Sequence, residues 1–204
     1  FFFLVNSTYI FSDLKIELEK QIDPLMDRVI EWRHDIHKYP ELSNREFRTA
    51  KKVEDHLLSL GIEVETKIAY TGVVGFIKGA LPGPTIALRA DMDALPVVEK
   101  TGLPFASKET TEYLGQEVGI MHACGHDAHV AILMGVAEFL SNNRDKLKGN
   151  IMLIFQPAEE GPPEGENGGA KMMLEEGIFD RYKPEAIFGL HVGNGPNGYI
   201  GVAS

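Results

Sequence analysis

Residues 85–93 read TIALRADMD, and this stretch decides the fold. A mostly apolar run of this length, followed by acidic residues, is typical of a buried strand in a parallel sheet. Because alternate residues of an extended chain point the same way, Asp91 and Asp93 are predicted to face one site beyond the strand. Either carboxylate could then orient a metal-binding histidine through its second ring nitrogen. An Asx turn leading into Pro96 explains the two aspartates equally well on local grounds.

The same pattern occurs twice more toward the C-terminus. Apolar strands are predicted over residues 150–155 and 186–190, and helices over 128–140 and 170–176, the first of them capped by Asp127. The order strand, helix, strand, helix, strand indicates an α/β fold, with a mostly parallel sheet and helices on both faces. In such sheets ligands bind beyond the carboxyl ends of the strands. The groups at those ends are therefore the candidates for a site.

The N-terminal half is predicted to hold two helices and a pair of strands. Asp23 with Pro24 predicts the start of the first helix, since proline is favoured at the first helical position. Ser43 and Glu46 have the spacing of a capping box and predict the start of the second helix. Short strands are predicted over residues 62–68 and 72–77.

The composition limits the partners and the location of the protein. The 204 residues carry a net charge of −10, which argues against nucleic acid and anionic membrane as partners, and no segment is long enough to span a bilayer. The single cysteine excludes an intramolecular disulfide. Residues 1–5, FFFLV, read like the remnant of a secretory signal, which would place the protein outside the cytoplasm. Read as an ordinary apolar segment, they leave it cytoplasmic.

The densest chemistry lies in residues 121–129, MHACGHDAH, which hold three histidines, a carboxylate and the only cysteine. Thiolate, imidazole and carboxylate are the ligand types that divalent transition metals prefer. Cys124 and His126 are too close in sequence to share a helix face, but a loop can turn both toward one centre. Two other interpretations stay open: a buried cysteine beside a surface histidine, and a cysteine nucleophile with a histidine base.

An acidic pair, Glu159 and Glu160, follows the second predicted strand, and His191 follows the third. At a strand end, one carboxylate can bind metal while its neighbour acts as a general base toward water. Taken alone, the pair reads as solvated surface and His191 as a core histidine. Taken with the cysteine segment, Glu160 and His191 complete a ligand set for one or two transition metals, and Glu159 supplies the base. The metal interpretation is therefore favoured.

Five segments in this order resemble the amidohydrolase branch of the aminoacylase/carboxypeptidase metallopeptidases. That branch includes hippurate hydrolases, N-acyl-amino-acid amidohydrolases and the plant indole-acetyl-amino-acid hydrolases. The resemblance extends from about Asp23 to the end of the sequence. Its segments are WRHDIH at 32–37 with PELS at 40–43, RADMDALP at 89–96, HACGHD at 122–127, QPAEEG at 156–161 and GLH at 189–191.

The resemblance implies a dinuclear site, with manganese or zinc, that hydrolyses the amide bond of small N-acyl amino acids. By motif match Glu159 is the general base, Asp93 supports the site, and the metal ligands are Cys124, His126, Glu160 and His191. Within the family, a metallo-dipeptidase or carboxypeptidase is the alternative activity. An inactive metal-binding fragment is the alternative outside catalysis.

The family's chains are longer, with a lid or dimerisation domain and a late metal-ligand histidine, and its full-length members suggest a homodimer. Residues 23–204 are therefore expected to form the N-terminal part of the catalytic domain, with an incomplete site. Residues 1–22 are expected to be a separate N-terminal segment. The loop at 161–169 also looks longer than in many relatives.

Overall fold

The computed structural model describes residues 2–193, 195–196 and 198–202, and of residues 2–16 it describes the backbone only. The helices are α1 (Phe2–Lys38), α2 (Phe47–Ser59), α3 (His126–Asn142), α4 (Gly169–Glu175) and α5 (Ile178–Tyr182). The strands are β1 (Glu63–Ile68), β2 (Gly72–Lys78), β3 (Leu81–Asp91), β4 (Thr110–Tyr113), β5 (Gln116–Gly119), β6 (Lys148–Gln156) and β7 (Ala186–Gly189). No described helix has the length and apolar composition that crossing a bilayer requires.

Five strands form the central sheet, in the order β1-β2-β6-β3-β7. Strand β3 pairs in parallel with both β6 and β7, whereas β2 is antiparallel to its neighbours β1 and β6. Four of the five strands therefore run in one direction, which confirms the mostly parallel α/β sheet. Strands β4 and β5 make a separate antiparallel hairpin.

Helices cover both faces of the sheet, as predicted. Strand β6 packs against helices on both sides, because its alternate residues point to opposite faces of the sheet. Leu153 and Phe155 pack in the cluster that includes the buried faces of α1, α2 and α3, and Met152 and Ile154 pack in the cluster that includes Met173 of α4. Such a doubly covered strand is apolar throughout, which is the pattern that the sequence shows.

The strand register brings three carboxyl ends to one edge. Asp91 of β3 lies opposite Gln156 of β6, and Arg89 of β3 lies opposite Gly189 of β7. The segments after β3, β6 and β7 therefore leave the sheet side by side. This edge positions the candidate site.

The predicted start of the first helix at Asp23 is wrong. Helix α1 begins at Phe2 and continues through Pro24. The proline ring fixes φ near the helical value, so a helix can pass through it with the loss of one backbone hydrogen bond. The separation of 1–22 from 23–204 stays a prediction, although α1 crosses the boundary. The signal interpretation of residues 1–5 rests on side chains that lie outside the described part of the structure.

The predicted caps of the second and third helices are also wrong. Helix α2 begins at Phe47, and the N–H groups of Arg48 and Thr49 donate to the two carboxylate oxygens of Glu41, each at 2.8 Å. Glu41 thus accepts the first N–H groups of α2, which the capping-box pattern assigns to Ser43. The side chains of Ser43 and Glu46 bond to Asp93 and Thr71 instead. Helix α3 begins at His126 after Gly125, with Asp127 inside the first turn rather than at the cap.

Candidate metal centre

The residues predicted for the site meet at the carboxyl edge of the sheet. Cys124 lies in the loop before α3 and His126 opens that helix, while Glu160 follows β6 and His191 follows β7. The Cys124 sulfur, one His126 nitrogen and one Glu160 oxygen all lie within 4.8 Å of one another. The Cys124 sulfur lies 3.6 Å from Nε2 of His191. The structure therefore brings the four predicted ligands to one place.

His126 is the focus of this cluster. Its side chain is fully buried, and neither ring nitrogen has a hydrogen-bond partner among the described residues. Its Nε2 lies 3.6 Å from Oδ1 of Asp91 and 3.8 Å from a carboxylate oxygen of each of Glu159 and Glu160. Buried polar atoms are normally paired, so an unpaired imidazole nitrogen facing carboxylates and a thiol fits a bound divalent cation.

A second buried histidine shows that the unpaired nitrogens alone would not make a site. His122 also has two ring nitrogens without a partner among the described residues, and burial lowers its pKa to about 4. Its ring centroid lies 6.4 Å from that of His37, and it is not among the described residues whose ligating atoms lie within 4.8 Å of one another. His122 is therefore a neutral core residue. What distinguishes His126 from it is the set of possible metal ligands around the His126 ring.

Asp93 holds the backbone of the acidic pair through hydrogen bonds. Its two oxygens accept the backbone N–H groups of Glu159 and Glu160, each at 3.0 Å, and Oδ2 also accepts the Ser43 hydroxyl at 2.8 Å. Its Oδ1 lies 3.3 Å from Nδ1 of His126. Burial alone raises the pKa of the Asp93 carboxyl, but His126 and the two amides outweigh it and hold the pKa below its usual value. Asp93 therefore stays an anion.

Asp91 orients a histidine to which the sequence assigns no role. Its Oδ1 lies 2.6 Å from Nδ1 of His129, and its Oδ2 lies 2.8 Å from Nη1 of Arg89. Because Nε2 of His129 accepts the N–H of Val192 at 2.9 Å, the ring carries its proton on Nδ1 and donates it to Asp91. Ligating atoms of His129, Asp91, His126 and His191 lie within 4.8 Å of one another. Both nitrogens of His129 are already hydrogen-bonded, however, so its role here is to hold the segment beside His191.

The spacing of His126 and His129 could have revealed this role. Residues three apart lie on the same face of a helix, so both rings of α3 point toward the strand ends. Their ring centroids are 5.5 Å apart.

Glu46, which the capping-box pattern assigns to the start of α2, instead contacts the turn that carries the acidic pair. Its carboxylate is fully buried and accepts the Thr71 hydroxyl at 2.6 Å and the Ala158 N–H at 2.8 Å. Burial raises its pKa to about 7. No sequence signal separates this glutamate from a helix cap, because its partners are distant in the chain.

Two histidines near the end of α1 contact side chains from other parts of the chain. His37 Nδ1 lies 2.9 Å from Oδ2 of Asp127, and the hydrogen bond with Asp127 is the main reason why the pKa of His37 is raised. Its Nε2 lies 3.2 Å from Glu99. His34 stacks on Phe105 with ring centroids 3.7 Å apart. These contacts fix α1 against the start of α3.

The surroundings of Cys124 disfavour a free thiol nucleophile. Burial and the nearby carboxylates, Glu160 foremost, raise the pKa of the thiol to about 11. A nucleophilic cysteine needs a cationic neighbour or an adjacent base that favours the thiolate. Nε2 of His191 lies 3.6 Å from the sulfur, but burial and the carboxylates favour the protonated thiol. A metal cation bound beside Cys124 would supply a positive charge that stabilises the thiolate.

Fold and site together define an α/β protein with a transition-metal ligand set at the carboxyl edge of its sheet. The family model of Peptidase family M20/M25/M40 matches residues 87–203, more than half of the chain. The chain belongs to this family.

Three relatives illustrate the membership. Thermostable carboxypeptidase 1 of Saccharolobus solfataricus is 48% identical over 181 residues, covering 88% of this chain and 43% of the relative. N-acetyl-L-cysteine deacetylase of Bacillus subtilis is 46% identical over 170 residues, covering 83% of this chain and 37% of the relative. The crystal structure of a dinuclear metal binding peptidase of the M20 family from Bacillus subtilis matches with a TM-score of 0.71 at 44% identity, covering 83% of this chain and 44% of that chain. The chain thus spans about two fifths of the length of these relatives.

Proposed function

We propose that the whole protein hydrolyses the amide bond of N-acyl amino acids in a metal-dependent reaction. The observation that carries the proposal is His126, a buried imidazole whose unpaired Nε2 faces three carboxylates, with the Cys124 thiol beside the ring. The names of the relatives support the substrate class, since they include deacetylases for N-acetyl-L-cysteine and for N-acetyldiaminopimelate.

The proposed ligands of up to two divalent ions, manganese or zinc, are Cys124, His126, Glu160 and His191. When bound, such ions polarise an amide carbonyl and make water acidic enough to attack near neutral pH. Glu159 is the proposed general base. Its side chain is 36% exposed, which leaves room for water, and its Oε2 faces Nε2 of His126. Glu159 takes the proton of the attacking water and delivers it to the leaving amine.

Asp93 is the proposed support of this chemistry. It accepts the backbone N–H of Glu159 and contacts the ring of His126 from the buried side. These two contacts fix the separation between the proposed base and the proposed ligand histidine. A carboxylate that already accepts three hydrogen bonds has little capacity left for a substrate proton. Asp93 therefore acts through its neighbours.

A groove beside Glu160 supports a small-molecule substrate. Its volume is about 620 Å³, and it runs between the hairpin of β4 and β5 and the loop after Glu160. This volume is in the range of ligand sites. Arg45 also lines the groove, but its guanidinium is paired with Glu166. For the full-length protein we propose a homodimer, which sedimentation at several protein concentrations would test.

A metallo-carboxypeptidase or dipeptidase is the second candidate, and the 48% identity to a thermostable carboxypeptidase favours it. Both activities use the same centre and differ in the acyl side of the substrate. Relative kcat/KM on an N-acyl amino acid and on a blocked dipeptide separates them. Metal binding without turnover of either substrate by the full-length protein would leave the inactive metal-binding alternative.

The test of the proposed function is Glu159→Gln in the full-length, metal-loaded protein. Turnover of hippurate should fall by at least about 100-fold, because a positioned base contributes about that much or more, while the metal content stays the same. Glu175→Gln, an exposed change on α4, is the matched control. Loss of metal in Glu159→Gln would make Glu159 a ligand, and turnover equal to that of the control would refute the assignment.

A further inference from the structure

The turn that carries the acidic pair is held by backbone hydrogen bonds to buried carboxylates. The N–H groups of three consecutive residues all donate to such groups: that of Ala158 to Glu46, and those of Glu159 and Glu160 to Asp93. The amides of the two glutamates are directed into the protein, and their side chains lie on the more exposed side of the turn, at 36% and 26% exposure. Each places a carboxylate oxygen 3.8 Å from Nε2 of His126.

Ala158 is the strained point of this turn. Its φ is +47°, a left-handed conformation that residues with a side chain rarely adopt. Gly169 packs so closely that a side-chain carbon there would lie 2.8 Å from the Ala158 carbonyl oxygen. Strained backbone persists where its surroundings over-determine it, and here the Glu46 carboxylate fixes the Ala158 amide from the opposite direction.

Glu46 itself comes from a distant part of the chain. Glu46 lies 112 residues before Ala158 in the sequence, directly before α2. Its second carboxylate oxygen accepts the hydroxyl of Thr71, the residue before β2. One buried side chain thus connects α2, the turn before β2 and the turn after β6. A buried carboxylate is costly without partners, so its retention here needs contacts of this kind.

We propose that Glu46 is a positioning residue of the metal centre: through the Ala158 N–H, it sets the turn that aims Glu159 and Glu160 at His126. This role rests on the proposed function, because it matters only if Glu160 binds metal and Glu159 acts as base. Glu46 itself touches neither metal nor substrate.

Amide hydrogen exchange in the metal-free chain tests the geometric part. In Glu46→Leu, which keeps the volume but cannot accept a hydrogen bond, the amides of Glu159 and Glu160 should exchange about tenfold faster, although both donate to Asp93. The amides of Ile151 to Phe155 in β6 should keep their protection. Unchanged exchange at Glu159 and Glu160, or equal loss throughout β6, would overturn the proposal.

Two further variants keep the test decisive. Glu46→Gln should restore the wild-type pattern, because its amide oxygen can accept the Ala158 N–H while its NH₂ donates to Thr71. Thr71→Val is the matched control, since it removes the other contact of Glu46 and leaves that with Ala158. If Glu46→Leu does not fold, Glu46→Asp, one methylene shorter, replaces it and should show the same local loss.

Cobalt(II) titration supplies the functional readout. Glu46→Leu should bind cobalt about 10- to 100-fold more weakly than wild type, and Glu46→Gln should recover the affinity. Equal affinity in all three proteins would contradict the positioning role. If wild type binds no cobalt at all, the proposed metal centre fails, while the exchange pattern still decides whether Glu46 sets the turn.

Discussion

The candidate centre has a buried side and an open side, and both are built from carboxylates and histidines. On the buried side, Asp91 and Asp93 have no more than 1% exposure. Their oxygens accept hydrogen bonds from two backbone amides, the His129 imidazole and the Ser43 hydroxyl, and Asp91 also forms an ion pair with Arg89. On the open side, the side chains of Glu159 and Glu160 are 36% and 26% exposed. Groups of the same chemistry are thus expected to have different roles, because the exposed carboxylates keep lone pairs that can bind a cation.

The two sides should therefore respond differently to substitution. Changes on the buried side should lower the free energy of unfolding, because they leave buried groups unpaired. Changes on the open side should leave stability nearly intact and remove metal binding.

The largest effect is expected from Asp93→Ala. It removes the acceptor of two backbone amides and of Ser43, together with the carboxylate that faces Nδ1 of His126, which should cost about 3–5 kcal/mol of unfolding free energy. Urea unfolding of the metal-free chain measures it. Asp145→Ala, at an exposed position, is the control and should stay within about 0.5 kcal/mol. A similar small change in Asp93→Ala would remove the distinction between the two sides.

A pH effect of similar size is expected from Glu46. Its pKa is about 7 in the folded protein against a reference of 4.5, so the folded state holds the proton more tightly. Between these values the folded state binds more protons than the unfolded state, and stability falls as pH rises through the window and levels off above it. Relative to Glu46→Gln, wild type should therefore lose on the order of 3 kcal/mol from about pH 4 to about pH 8. Chemical unfolding at each pH gives this difference, and a constant difference would contradict the buried, protonatable carboxylate.

A smaller loss is expected from His129→Leu. The substitution leaves Oδ1 of Asp91 and the N–H of Val192 without their partner, which should cost about 1–3 kcal/mol. The His191 segment should also lose order, seen as faster amide exchange at Val192. His191→Leu is the comparison on the open side, and it should leave Val192 protected. The reverse pattern would show that His191, not His129, holds the segment.

The smallest stability change is expected from Cys124→Ser and Glu160→Gln. Neither side chain is fully buried, so each should change the unfolding free energy by no more than about 0.5 kcal/mol without metal. Both should nevertheless bind zinc more weakly than wild type by isothermal titration. A large destabilisation with unchanged zinc affinity would make them structural residues.

The open side could be predicted from the sequence and much of the buried side could not, for a physical reason. Apolar runs that end at Asp91, Gln156 and Gly189 identify parallel strands, and the loops after parallel strands begin at one edge of the sheet. Local patterns and this one topological rule are enough to predict that the four proposed ligands, Glu159 and Asp93 lie at one edge, which is where the structure has them.

Local patterns failed where a distant partner competes with a near one. Ser43 and Glu46 satisfy the capping-box spacing, yet Glu41 caps α2. Ser43 is thereby free to donate to Asp93 after β3, and Glu46 to accept from Ala158 after β6. Asp127 resembles a cap of α3, but its carboxylate pairs with His37 of α1. A buried carboxylate pairs with the groups that the tertiary fold places beside it. The spacing of residues in the sequence does not indicate which groups these are.

The central claim is that Cys124 and His126 belong to a metal centre, and the single cysteine permits a direct measurement. Cobalt(II) bound by a thiolate produces a near-ultraviolet charge-transfer band, and a bound thiolate resists alkylation by iodoacetamide. We predict that wild type develops a saturable band, with Cys124 protected from alkylation, and that Cys124→Ser shows no band. An absent band, together with equal alkylation rates with and without metal, would contradict the account.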